Sequence, residues 1–323
     1  MKPNIVLITQ FEPDDSPGEF SRFREGLGLE KIADSCLPDL LFANREGSVL
    51  AVIAGVGAVQ TATRITALGL DSRFDLSQAL WIISGIAGGD PARCALGSVA
   101  LANWCIDGDL AWEIDGRELP PSWPTGILPL GANAPYESPA ENGGVFGIPY
   151  QKVELPKSIL RWAEEAAKNT PLATDSLAHN EGERYRELPG ASADPGVQVG
   201  AILSAVRFWH GSLMNQWARE WVDFFTSGEA VFLASSMEDS GTLYAFRYLC
   251  ERGLAHPEQI LLIRAISNFT CPPSGESAVS TLLDHEEEAH MPGYDLALEN
   301  GYRVTSSIIR RWLTQANPAS RDA

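Results

Sequence analysis

The chain has 323 residues, enough for one large α/β domain or two small ones, and its 45% hydrophobic content is ordinary for a protein with a full core. A formal charge of −18 repels nucleic-acid phosphates and anionic lipid, which excludes a binder of polymeric DNA or RNA and leaves room for a neutral small ligand. No run approaches the roughly 20 unbroken apolar residues of a membrane-spanning helix. Met1-Lys2-Pro3-Asn4 leads straight into the apolar Ile5-Val6-Leu7-Ile8 with no cleavage pattern, so a cytoplasmic, soluble protein is expected.

In chain order, Asn4–Thr9 reads as a buried strand. Ser48–Ala54 is a second, ending at Gly55-Val56-Gly57 before a helical pattern through Gln60, Ala62, Ile65 and Leu68. Ala79–Ser84 is a third, stopped by Gly85-Ile86-Ala87-Gly88-Gly89. Gly97–Cys105, Val231–Ser235 and Ile260–Ile266 are further short apolar runs bounded by glycine or polar residues. Helical stretches are expected at Lys157–Asn169, Ser240–Arg252 and Asp295–Thr314. Buried strands alternating with amphipathic helices argue for an α/β fold with a largely parallel sheet. The segment at about 107–147 differs, being rich in Pro, Gly and Trp as in Pro120-Pro121-Ser122-Trp123-Pro124, and reads as an irregular lid or oligomer contact. Asp175–Gly200 reads as a polar connector. With neither repeats nor an interdomain linker, one domain over residues 1–323 is expected.

Five cysteines (Cys36, Cys94, Cys105, Cys250 and Cys271) are scattered and form no C-x-x-C pair, which reads as free thiols in a reducing compartment. His285 and His290 are five apart, about 140° round a helix, so they do not share a face; no metal and no cofactor are expected.

Three strand ends carry small or polar residues, where open α/β sheets bind ligands. Gly55-Val56-Gly57-Ala58 brings backbone N–H groups to a helix start, and Gln60 occupies the third glycine position of a dinucleotide fingerprint; it is a ligand loop or simply a tight turn. Ser236-Met237-Glu238-Asp239 offers two carboxylates that hold a diol such as ribose hydroxyls, or that stabilise a helix N-terminus. In Arg264-Ala265-Ile266-Ser267-Asn268-Phe269, Asn268 faces a purine edge or forms a turn beyond its strand. Phe208-Trp209-His210-Gly211 adds rings that stack on a base or pack in the core, and three adjacent rings cannot all face one core.

The order of these pieces resembles the nucleoside phosphorylase and nucleosidase superfamily, and more specifically the purine nucleoside permease family. The matching segments are Phe11-Glu12-Pro13-Asp14, Gly55-Val56-Gly57, Gly85-Ile86-Ala87-Gly88-Gly89, Glu113-Ile114-Asp115-Gly116-Arg117-Glu118, Trp123-Pro124-Thr125-Gly126, Trp209-His210-Gly211, Met237-Glu238-Asp239 and the run from Arg264 to Phe269, covering nearly the whole chain. The resemblance implies a three-layer α/β/α sandwich around a central mixed sheet, with a purine nucleoside across the strand ends. It implies that Glu238, with Asp239 beside it, holds the ribose hydroxyls and that Met237 lies against the sugar. Phe208, followed by Trp209 and His210, stacks on the base; Asn268 faces N7; Gly57 and Gly88 form walls of the pocket. Homo-oligomers are usual in the superfamily, and one is expected here.

Phosphorylases of this superfamily commonly carry an arginine two residues before the glycine of the second loop, where this chain has Ile83. Water-using relatives carry an acidic residue after the first strand. Glu12, Asp14 and Asp15 follow that strand here, and Asp14 matches the acidic position of the family's F-x-P-[ED] motif. The expectation is a purine nucleoside hydrolase acting on inosine, guanosine or adenosine, with Asp14 or Glu12 activating water and Asn268 helping the purine leave. A binding component of nucleoside uptake and a phosphate-dependent phosphorylase are the alternatives. Water-using relatives usually have Asp where Asn268 stands, a departure expected either to slow cleavage or to shift preference toward 6-oxopurines.

Overall fold

The computed structural model describes residues 1–33, 35–138, 151–287 and 291–316. In chain order the elements are β1 (Ile5–Thr9), α1 (Ser21–Gly26), β2 (Glu30–Lys31), β3 (Leu41–Ala43), β4 (Val49–Ile53), α2 (Ala58–Leu70), β5 (Leu80–Gly89) and β6 (Val99–Asp107). There follow β7 (Ala111–Glu113), β8 (Ile127–Pro129), β9 (Lys152–Glu154), α3 (Lys157–Ala167), α4 (Ser176–Glu183), β10 (Val197–Ser204) and α5 (Ser212–Thr226). The chain closes with β11 (Phe232–Ser236), α6 (Asp239–Glu251), β12 (Ile260–Phe269), α7 (Ala278–Glu287) and α8 (Tyr294–Ala316).

Strand β1 is buried at every position and shows why the apolar runs become strands. Ile5 and Leu7 point into a cluster with α3 and α8, through Ile159, Leu160, Val304 and Ile308. Val6 and Ile8 point the other way, into a cluster with α2 and α6 through Ile65, Leu68, Leu243, Phe246 and Leu249. A strand covered on both faces cannot alternate apolar with polar residues, and each buried aliphatic contributes about 1.5–3 kcal/mol. Helix α5 adds a third layer of packing, setting Trp217, Ala218, Trp221 and Val222 against Ala201 and Leu203 of β10 and Phe232 of β11.

The sheet is mixed, as expected, in the order β11-β10-β6-β12-β5-β1-β4-β3-β2. It is not the open sheet of a simple three-layer sandwich. Strand β11 also pairs antiparallel with β5, Ala234 opposite Gly89 and Ser235 opposite Gly88, so β5, β12, β6, β10 and β11 form a closed ring. The closing contact uses the glycine-rich end of β5, which the sequence reading placed beyond the strand. Likewise β12 runs on past Ile266, through a register shift, to include Asn268 and Phe269.

Other differences follow from length and burial. Within residues 107–147 the structure describes a small antiparallel pair, β7 with β8, and a 3-10 turn at Gly116–Glu118; residues 139–147 lie outside the described residues. The polar connector holds α4 and the start of β10. His290 and the side chain of His285 lie outside what the structure describes. All five cysteines are free. Among the described residues no helix is long and apolar enough to cross a membrane, and no group of three His, Cys, Asp or Glu is arranged to hold a metal ion.

Candidate active site

The ends of β1 and β11 and the middle of β5 and β12 meet around one buried arginine. Arg264, only 1% exposed, lies within β12. Its Nε donates to Asp239 Oδ2 at 3.1 Å, and its Nη2 donates to Asp239 Oδ1 at 2.6 Å and to Glu238 Oε2 at 3.0 Å. Its Nη1 donates to the carbonyl of Ile86 at 3.1 Å and stands 3.8 Å from Glu19 Oε1. One cation thus holds three carboxylates, from the loop after β1 and the start of α6. A guanidinium suits this because it is always charged and presents a rigid fork of donors.

Packing brings these groups together. Gly241 of α6 lies against the first residue of α2, and a Cβ there would stand 2.6 Å from Ala58 Cα. That close approach sets the two helix starts side by side, with Gly57 donating its N–H toward Glu238 Oε1 at 3.4 Å. Glu238 is the N-cap of α6 and Asp239 its first residue, where the helix dipole favours negative charge. The two readings of this acidic pair are therefore compatible. Asp239 also accepts from the Ser236 hydroxyl and is fully buried, whereas Glu238 sits at the edge of the cluster. Burial raises the Glu238 carboxyl above its ordinary value, against the lowering pull of Arg264.

Glu19 was not among the sequence candidates. Its Oε2 accepts the backbone N–H groups of Gln10 at 2.7 Å and Phe11 at 3.1 Å, and its Oε1 accepts that of Ile86 at 2.8 Å. Burial raises it to about 7; Arg264 opposes that rise and Glu238 adds to it. A carboxyl titrating near neutrality beside a strand end is poised to take a proton. Gly85 makes room for it: a Cβ there would stand 2.5 Å from Glu19 Oε1 and 2.9 Å from Gln10 Oε1, and would collide with Arg264 Nη1. Gln10 is 2% exposed, and among the described residues neither polar atom of its side chain has a hydrogen-bond partner.

The carboxylates expected to activate water are placed differently. Asp14 is exposed in the loop after β1. Glu12 is half-buried and tied to the start of α1, accepting from Phe20 N at 2.7 Å and from the Ser21 hydroxyl. The signal that could have singled out Glu19 is weak, an acid in the Pro17-Gly18-Glu19-Phe20 turn next to the F-x-P-[ED] motif. Arg264 was visible in its motif, but nothing local showed that its side chain is buried.

Four residues farther along the same strand, Asn268 is buried in β12 and accepts from Ser267 Oγ at 3.0 Å. Gly88 lies opposite it in the register, and a Cβ there would stand 3.2 Å from Asn268 Nδ2. The three adjacent rings separate. Trp209 packs near Trp217 and Phe232, with ring centres 6.1 and 6.3 Å away. His210 Nε2 pairs with Thr281 Oγ1 of α7 at 2.9 Å. Phe208 remains 50% exposed. The loop that carries it passes Gly57, a Cβ on which would stand 3.8 Å from Val206 Cγ1. That loop is anchored to the irregular segment, where Arg207 pairs with Asp109 at 3.3 Å and Glu113 at 3.4 Å. Met237 is half-buried between β11 and Glu238. A cavity of about 500 Å³ lined by Asp90, Arg93, Arg219, Asp223 and Phe232 shares no residue with the Arg264 cluster. Convergence of ionisable groups, rather than hollow volume, marks the site.

Comparison with known proteins agrees with this architecture. The solved structures it resembles include a 5′-methylthioadenosine/S-adenosylhomocysteine nucleosidase from Neisseria meningitidis, at TM-score 0.55 and 17% identity over 95% of this chain and 98% of that one. A futalosine hydrolase of Helicobacter pylori aligns at TM-score 0.54 and 15% identity, over 96% of this chain and 97% of that one. At these identities the likeness concerns the fold. Among curated proteins, the purine nucleoside permease of Candida albicans is 25% identical over 272 residues, covering 82% of this chain; the chain spans 65% of that relative's length. A probable purine nucleoside permease of Schizosaccharomyces pombe is 26% identical over 273 residues, covering 83% of this chain and 78% of the relative. The profile described as purine nucleoside permease (NUP) matches residues 2–318, and the chain belongs to that family.

Proposed function

We propose that this protein is a purine nucleoside hydrolase that cleaves the N-glycosidic bond with water. The observation that carries the reading is the buried Glu19, raised to about 7 beside Arg264 and Glu238 at the strand ends. Glu19 takes the role for which the sequence suggested Asp14 or Glu12. It accepts a proton from water as the water oxygen bonds to C1′. The bond from C1′ to the purine nitrogen breaks, its electron pair goes to the base, and Asn268 holds N7 through a hydrogen bond. Glu238 accepts from the ribose hydroxyls, Met237 lies along the sugar, and Phe208 covers the base.

Two further points support water as the nucleophile. Ile83 is fully buried in the core, and the Arg264 donors are committed to Asp239, Glu238 and the Ile86 carbonyl. The proteins of like fold are named nucleosidase and hydrolase. An amide at position 268 offers N7 a hydrogen bond but no proton, which favours 6-oxopurines, inosine and guanosine, over adenosine.

The names of the sequence relatives favour a second reading, a nucleoside-binding component of uptake without catalysis. Incubation with inosine, guanosine and adenosine, with and without phosphate, followed by chromatography, separates the readings. Free base and ribose without phosphate support the hydrolase. Ribose 1-phosphate formed only with phosphate overturns it in favour of phosphorolysis, and tight binding without free base overturns it in favour of the binding component.

A further inference from the structure

Around Gly85 two hydrogen-bond acceptors, Glu19 Oε1 and Gln10 Oε1, face the same small volume as Arg264 Nη1. Glu19 Oε1 and Gln10 Oε1 would stand 2.5 and 2.9 Å from a Cβ on Gly85. Glu19 Oε2 already accepts two backbone N–H groups, so a proton arriving on the carboxyl goes to Oε1, which accepts only that of Ile86. The Gln10 amide is buried, and both of its polar atoms lack partners among the described residues. Leaving such a group unsatisfied in the interior is costly. A hydrogen on Glu19 Oε1 gives the Gln10 oxygen a donor.

We propose that Gln10 is a positioning residue for Glu19, its side-chain oxygen accepting the hydrogen bond of the carboxylic acid that forms when Glu19 takes a proton. In the proposed hydrolysis that proton comes from the attacking water. The water O–H bond breaks, the new O–H forms on Glu19 Oε1, and Gln10 holds it until it passes to solvent. The inference rests on Glu19 being the base only for its catalytic meaning; the pairing of the two side chains stands apart from turnover. A hydrogen bond to the neutral form of an acid raises its proton affinity. The other charged or titratable groups around Glu19 are Arg264 of β12, Glu238 and Asp239 at the start of α6, Glu12 of its own loop and Tyr294 of α8. Arg264 favours the ionised form and the carboxylates favour the neutral one. Tyr294 is held neutral by burial and donates its hydroxyl to the carbonyl of Pro17. Gln10 therefore acts on Glu19 in the same direction as burial does.

The test follows the side chains directly. In wild-type protein with ¹⁵N-labelled glutamine, the Gln10 side-chain resonance, identified by its loss in Gln10→Glu and Gln10→Met, moves with pH around a midpoint of about 7, and the movement disappears in Glu19→Gln. In Gln10→Met with ¹³C-labelled glutamate, the Glu19 midpoint falls by about one pH unit. The acid limb of kcat/KM for inosine moves to lower pH by the same amount. A Gln10 signal flat from about pH 5 to 9, or a Glu19 midpoint unchanged in a folded Gln10→Met, overturns the proposal. If Gln10→Met does not fold, the comparison of wild type with Glu19→Gln decides alone. If the protein releases no base at all, the labelled side chains still report the pairing, so its failure and that of the hydrolase reading are distinguishable.

Discussion

Arg264 and Asp239 form a two-point ion pair, with Nη2 2.6 Å from Oδ1 and Nε 3.1 Å from Oδ2, between a residue 1% exposed and one fully buried. The same guanidinium reaches Glu238 at 3.0 Å and Glu19 at 3.8 Å. Removing it leaves three buried carboxylates without their cation. We expect Arg264→Met to destabilise the protein by about 3–5 kcal/mol in urea unfolding at neutral pH. The loss shrinks as the medium is acidified and the carboxylates protonate. A loss that is the same at all pH values contradicts this picture.

Glu19→Gln is expected to lower kcat/KM for inosine by about 10²–10⁴-fold, the usual range for a positioned general base. Asp14→Asn, in an exposed residue, changes it little. A larger loss in Asp14→Asn than in Glu19→Gln returns the role to Asp14.

The same carboxyl makes stability depend on pH. Its folded-state value of about 7 lies above the ordinary 4.5, so between those values the folded protein binds a proton that the unfolded chain has released. That contribution is complete below about 4.5 and is lost as pH rises through about 7. Wild type should lose roughly 3 kcal/mol more than Glu19→Gln across this window, an order-of-magnitude figure measured by urea unfolding at a series of pH values. Parallel curves for the two proteins count against a raised Glu19.

Asn268→Asp places a titratable carboxyl in β12 beside Gly88. An acid can give N7 a proton where the amide offers only a hydrogen bond, so adenosine cleavage should rise by at least about tenfold relative to inosine. An unchanged ratio in steady-state assays argues that Asn268 does not face N7.

Gly85→Ala should destabilise by about 1–3 kcal/mol and lower kcat, because the added methyl enters the volume between Arg264, Glu19 and Gln10. Equal activity and equal thermal midpoint for this variant would mean that the cluster yields freely.

Strands β1, β4, β5, β6, β11 and β12, helices α2, α3, α6 and α8 and the order of the glycine-rich and acidic segments were legible because each rests on local pattern; β10 and α5 were not read from the sequence. Val6 and Ile8 face one cluster and Ile5 and Leu7 the other, so an unbroken apolar run was a sufficient sign of a strand buried on both faces. Met237-Glu238-Asp239 and the run from Arg264 to Asn268 could be recognised from residue type and order alone. Folding decided which of them meet. The pairing of β11 with β5, the extension of β12 through Asn268 and the separation of Phe208, Trp209 and His210 depend on contacts between residues far apart in sequence. Above all, Glu19 and Gln10 carry no motif of their own. Glu19 stands out as the candidate base because tertiary packing buries it, sets three N–H groups and Arg264 around it, and lets it share with Arg264 and Gln10 the space that a side chain on Gly85 would fill. Local sequence specifies which backbone shapes a segment favours; proton affinity depends on the surroundings, and those surroundings are assembled from distant parts of the chain.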